Sequence, residues 1–78
     1  MGRNLSRVLV SLRRNKKLSQ EKLSELMDVH RNTVVRLEKH PDGAHLGVFL
    51  KAAEAMDVPA WKILRYVEEV APQAKHKG

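Results

Sequence analysis

The chain has no cysteine, and among its 78 residues it carries only one tryptophan, one tyrosine and one phenylalanine. Without cysteine there are no disulfides and no thiolate metal sites. Four glycines and three prolines are spread thinly, and none builds a Gly-rich loop that would cradle phosphate. The four histidines, His30, His40, His45 and His76, fall in loops or near ends without metal-ligand spacing. No Ser/His/Asp arrangement is apparent. These absences argue against an enzyme, and they leave no cofactor, metal or small-molecule ligand to expect. No apolar run approaches the roughly 18 residues of a membrane-spanning helix. Met1-Gly2-Arg3-Asn4 lacks the apolar segment of a secretory signal. A cytoplasmic protein with no membrane partner is the expectation.

What is present is a chain for one small domain with a modest core. Its hydrophobic fraction is 42% and its net charge is +6. The charge is unevenly placed. Residues 1–40 hold ten Lys/Arg against four acids, whereas residues 41–78 hold five of each sign. The whole excess therefore lies in the first half. A one-sided cationic field suits a polyanionic partner; it also serves as a solubilising surface, and composition alone does not separate the two.

Helical periodicity runs throughout, with no strand-like alternation. Leu5, Val8, Leu9 and Leu12 mark a first helix, with Asn4 or Ser6 as cap, ending near Asn15-Lys16-Lys17. Ser19 caps a second helix whose first turn holds Glu21 and whose apolar side is Leu23, Leu26 and Met27. Asp28-Val29-His30 interrupts, and a third helix turns Val34 and Leu37 inward. His40-Pro41-Asp42-Gly43 is turn sequence. A fourth helix covers about 46–56, with Phe49, Ala52, Ala53 and Met56 inside. A fifth starts at Asp57-Val58-Pro59, with Pro59 in its first turn and Ile63, Leu64 and Val67 lining it; Pro72 stops it. The expected architecture is all-α, a compact five-helix domain over residues 1–71 followed by a short, flexible basic tail, 72–78.

A short helix, a turn of three to four residues and a second helix let the second stand proud of the first. On that second helix Arg31, Asn32, Val35, Arg36 and Lys39 form one stripe. Arg can bridge guanine O6 and N7, and Asn can bridge adenine N6 and N7. Val35 suits a thymine methyl, and Lys39 suits a phosphate. Arg, Asn and Lys are equally ordinary on a solvent-facing helix, so the stripe gains weight only beside the preceding helix, the turn and the one-sided charge.

The stretch Leu18–His40, LSQEKLSELMDVHRNTVVRLEKH, resembles the helix-turn-helix of the Cro/CI (XRE-like) regulators. LVSLRRNKK upstream resembles that family's first helix, and VFLKAAEAMDVPAWKIL downstream its fourth and fifth, so residues 5–66 are covered. The resemblance implies a lambda-repressor-like fold and double-stranded DNA as partner. Arg31, Asn32, Val35 and Arg36 would read bases. Gln20, at the start of the second helix, would lie beside the DNA backbone and brace the head of the recognition helix. Arg13 and Glu38 match a structural ion pair. Three positions depart from the family pattern. Asp28 replaces the turn glycine, His30 replaces the Ser/Thr cap and stands where it can face DNA, and Ser24 replaces a small alanine.

Backbone contacts would come from Arg14, Lys16, Lys17, Gln20, His30, Lys39 and His40, since phosphate contacts supply affinity while base contacts select sequence. Arg14, Lys16 and Lys17 also suit a helix C-terminus for purely structural reasons. Leftover apolar residues, Trp61 foremost, point to a contact surface. Trp61, Leu64, Arg65 and Glu68 on the fifth helix are the expected homodimer interface; Trp61 folded into the core is the alternative. Taken together, these features suggest a bacterial or phage transcriptional regulator, a repressor that binds an inverted-repeat operator as a homodimer. The rival reading is an antitoxin that binds both a toxin and its own operator.

Overall fold

The computed structural model describes the backbone of residues 2–70 and the side chains of residues 4–68. Five α-helices follow one another: α1 (Gly2–Asn15), α2 (Gln20–Met27), α3 (Arg31–Lys39), α4 (Leu46–Ala55) and α5 (Ala60–Val70), with a 3-10 turn at Pro41–Gly43 between α3 and α4. The domain is all-α, as expected. Among the described residues no helix is long and apolar enough to cross a membrane. The basic segment 72–78 and the stop at Pro72 lie outside the described residues.

One core joins all five helices. Leu5, Val8 and Leu9 of α1 meet Leu23 and Met27 of α2, Val34 and Leu37 of α3, Phe49, Ala52 and Ala53 of α4, Met56, and Ile63 and Val67 of α5. The apolar spacings of three and four residues place these side chains on one stripe of each helix. Three expectations need correcting. α1 begins at Gly2, so neither Asn4 nor Ser6 caps it; the apolar stripe from Leu5 supports helix on both sides, and Ser6 turns to a partner on α3. Pro59 precedes α5 rather than sitting within its first turn; its carbonyl accepts from Lys62 N. Leu26 and Leu64 face solvent instead of lining their helices' inner sides, because each lies at the outer edge of a stripe already filled by its neighbours.

Three helices stop in the same way. Lys17, Asp28 and Asp57 each adopt a positive φ near 60°. In each case the amide of that residue bonds back three residues and the next amide bonds back five: Lys17 to Arg14 and Leu18 to Arg13, Asp28 to Glu25 and Val29 to Ser24, Asp57 to Glu54 and Val58 to Ala53. This is the Schellman arrangement, which normally places glycine at the left-handed position. The following residues, Leu18, Val29 and Val58, pack against the core, so each stop is held by an apolar contact. Met-Asp-Val occurs at both 27–29 and 56–58. It is too short for a structural repeat, but it is the same device used twice.

Candidate nucleic-acid interface

α2 and α3 are separated by Asp28, Val29 and His30. The left-handed Asp28 reverses the chain at once, and Val29 anchors the turn inward. At the start of α2, Ser19 Oγ accepts the Lys22 amide at 3.0 Å. In the middle of α2, Ser24 is buried and its hydroxyl donates to the Glu21 carbonyl at 2.6 Å. A serine thus occupies the small-residue position without leaving its polar atom unsatisfied. α3 has no such cap: His30 holds the N-cap position with an extended backbone and no side-chain cap bond.

α3 presents two distinct faces. Val34 and Leu37 are buried. Arg31, Asn32, Arg36 and Lys39 are exposed, and Val35 is half-buried. The structure thus puts the five residues of the expected reading stripe together on one side. Arg31 borders an open cleft with Ser19, Gln20 and Glu21 at the start of α2. Arg36 borders another with Thr33, Gly43, Ala44 and His45 toward the 3-10 turn.

Between these faces lies Glu38, only 5% exposed beside an Arg13 that is 8% exposed. Arg13 Nε donates to Glu38 Oε2 at 2.6 Å and Nη2 to Oε1 at 3.3 Å. Arg13 Nη1 donates to the Leu18 carbonyl at 2.8 Å. Gln20 Nε2 donates to Glu38 Oε1 at 2.9 Å, and the Ser6 hydroxyl donates to the Glu38 carbonyl. α1 and α2 therefore hold α3 through one residue. The expected brace by Gln20 is altered in detail. Gln20 stands beside Arg31, but its amide bonds Glu38, two turns further along α3, because the buried carboxylate requires a second donor. Helical periodicity does not single out Ser6 as a partner of α3. Its only sequence signal was a hydroxyl one turn-set from Arg13, at i and i+7 on the same side of α1.

Arg14, Lys16, Lys17, Lys39, His30 and His40 are all exposed, and Gln20 is half-buried. The fifth-helix residues lie elsewhere. Trp61 is 62% exposed and Leu64 is also exposed, as are Arg65 and Glu68. Their spacing of three and four residues makes them a single outward stripe of α5. Trp61 is therefore a surface residue and not a core one. Among the described residues no three His, Cys, Asp or Glu side chains gather as a metal site would require.

A short helix, a left-handed turn and a projecting helix with a cationic outer face define a helix-turn-helix DNA-binding domain. Residues 9–60 match the family model described as Helix-turn-helix, and the chain belongs to that family, in its Cro/CI (XRE-like) form. It is a DNA-binding helix-turn-helix regulator. No curated protein matches the chain.

Proposed function

We propose that this regulator is a repressor that binds an inverted-repeat operator as a homodimer, one copy of α3 in each half-site. The observation that carries the reading is the outer face of α3, where Arg31, Asn32 and Arg36 stand exposed on a helix whose inner side is fixed in the core. In this reading Arg31, Asn32 and Arg36 contact base edges, and Val35 adds an apolar contact. Arg14, Lys16, Lys17, Gln20, His30 and Lys39 hold the phosphates and so set register. The exposed stripe of Trp61, Leu64, Arg65 and Glu68 joins the two copies. Selection of bound sequences from a random duplex pool tests it. Enrichment of two inverted half-sites at fixed spacing supports the reading; a single unpaired half-site, or no enrichment, removes it.

A second reading, an antitoxin that also occupies a protein toxin, is favoured by one observation. Leu26 of α2 and Leu46 and Leu50 of α4 are exposed, and none belongs to the α5 stripe. Expression of a neighbouring gene product that is toxic only when this chain is missing would select that reading.

A further inference from the structure

We propose that the phosphate-binding surface extends back along α1, where Arg7 joins Arg14 in a track beside the groove that α3 enters. The proposal rests on the reading of α3 as the DNA-contacting helix. It comes from the order of side chains around the two helices, where successive residues turn by about 100°. Around α1, the core stripe of Leu5, Leu9 and Leu12 gives way to Ser6 and Arg13, which meet Glu38. Beyond them come Val10, then Arg14 and Arg7. Around α3, the core stripe of Val34 and Leu37 gives way to Glu38 itself. Beyond it come Arg31 and Val35, then Lys39, Asn32 and Arg36. On both helices the Glu38 contact lies between the core stripe and the exposed one, so the two exposed faces border the same seam. Val10 and Val35, each half-buried, occupy matching positions between contact and solvent.

The α1 face is cationic by construction of the sequence. GRNLSRVLVSLRRN contains no Asp or Glu. Arg13 is matched by Glu38, whereas Arg7 and Arg14 are exposed and take part in no hydrogen bond or ion pair among the described residues. They border a shallow groove together with Ser11 and Asn15, short polar side chains of the kind that bond phosphate oxygens. Arg7 and Arg14 are seven residues apart, about 10 Å along the helix. Successive phosphates of one strand rise about 3.4 Å along the duplex axis, so two guanidiniums this far apart reach different phosphates. The track lies next to the α3 stripe and carries the same sign, which favours a duplex backbone over a separate acidic protein.

The test is the salt dependence of binding to a random-sequence duplex. It compares the full chain with Arg7→Gln, with Arg7→Gln/Arg14→Gln, and with Lys62→Gln, which removes the same charge from α5. The slope of log affinity against log salt is expected to shrink by about one for Arg7→Gln and by about two for the double variant, and to stay unchanged for Lys62→Gln. The base preference from a selected pool should not change in any of them. An unchanged slope for Arg7→Gln, or an equal change for Lys62→Gln, overturns the track and leaves the α3 reading intact. A wild-type chain without any base preference removes the α3 reading itself, and the track falls with it. Labelled polyglutamate held more tightly than duplex at equal charge concentration would assign the face to an acidic protein and also overturn the proposal.

Discussion

Glu38 is the residue on which the pose of α3 depends. Its carboxylate is out of solvent and takes bonds from Arg13 and Gln20, while its carbonyl takes one from Ser6. Removing one charge of such a pair leaves the other buried and uncompensated. Arg13→Met or Glu38→Leu alone should therefore destabilise by about 3–5 kcal/mol. The double variant should lose much less than the sum, because the Leu18 carbonyl and the Gln20 amide are near enough to the surface to turn to water. Urea denaturation of the four proteins measures this coupling. The outward residues obey a different rule, since they touch nothing in the free protein that sets stability. Arg36→Ala should cost about 1–3 kcal/mol of binding to the selected sequence and relax preference at one base pair. Lys16→Ala should weaken every duplex alike. Titration against selected and scrambled duplexes separates the two, and equal losses on both duplexes for Arg36→Ala would remove its assignment as a reader. The sequence showed the stripe because exposure on a short amphipathic helix follows from periodicity. It showed Arg13 and Glu38 only through family resemblance. Ser6 as their neighbour was out of reach, because a serine on a helix surface has no periodic signature and its partner is a backbone atom 32 residues away.

At the scale of the element, α1, α2 and α4 stop on a left-handed residue that is not glycine. Lys17, Asp28 and Asp57 all sit in the left-handed region. That region is costly for a residue with a Cβ by roughly 1–2 kcal/mol, and less so for Asp than for Lys. Lys17→Gly should consequently raise stability by up to about 1 kcal/mol, and Asp28→Gly by less. Thermal unfolding checks the order; a greater gain at Asp28 than at Lys17 would contradict it. The helix starts are uneven in the same sense. Ser19 caps α2 through its side chain, and His30 does not cap α3. His30→Ser should add a cap of roughly 0.5–2 kcal/mol. If His30 serves the backbone of DNA, the same change should weaken binding to all duplexes while the melting temperature rises. Opposite movement of the two readouts is the expected outcome; a gain in both would show His30 to be a poor cap and nothing more. The element boundaries could be read from the sequence because apolar spacing, Ser19 and the 41–43 turn all speak locally. The start of α1 and the exact entry to α5 could not, since neither Gly2 nor Pro59 is followed by a cap that differs from the residues around it.

At the scale of the whole molecule, the positive half of the sequence supplies α1, α2 and α3, and the exposed stripe of α5 belongs to the neutral half. An isologous contact on that stripe would use the same side chains from each copy. Four side chains on a single helix bury much less than the roughly 800 Å² per partner of a standard stable interface. Such a contact would be too small to hold the free chain as a dimer at low concentration, and it would act once two copies lie side by side on one duplex. Binding to a first half-site would raise the local concentration of the second copy's surface, so that a modest contact would become a cooperative one. Trp61→Ala is the variant that separates these terms, because Trp61 is mostly exposed and its loss leaves the core untouched. Affinity for a duplex with one half-site should be unchanged. Affinity for two correctly spaced half-sites should fall by roughly tenfold or more, the factor that corresponds to about 1.4 kcal/mol of lost contact. Gel-shift titrations on the two duplexes give both numbers from one preparation. Loss on the single half-site would place Trp61 in the fold or the DNA contact instead, and retained cooperativity would move the dimer surface off α5, with Leu26, Leu46 and Leu50 as the next exposed apolar residues to substitute.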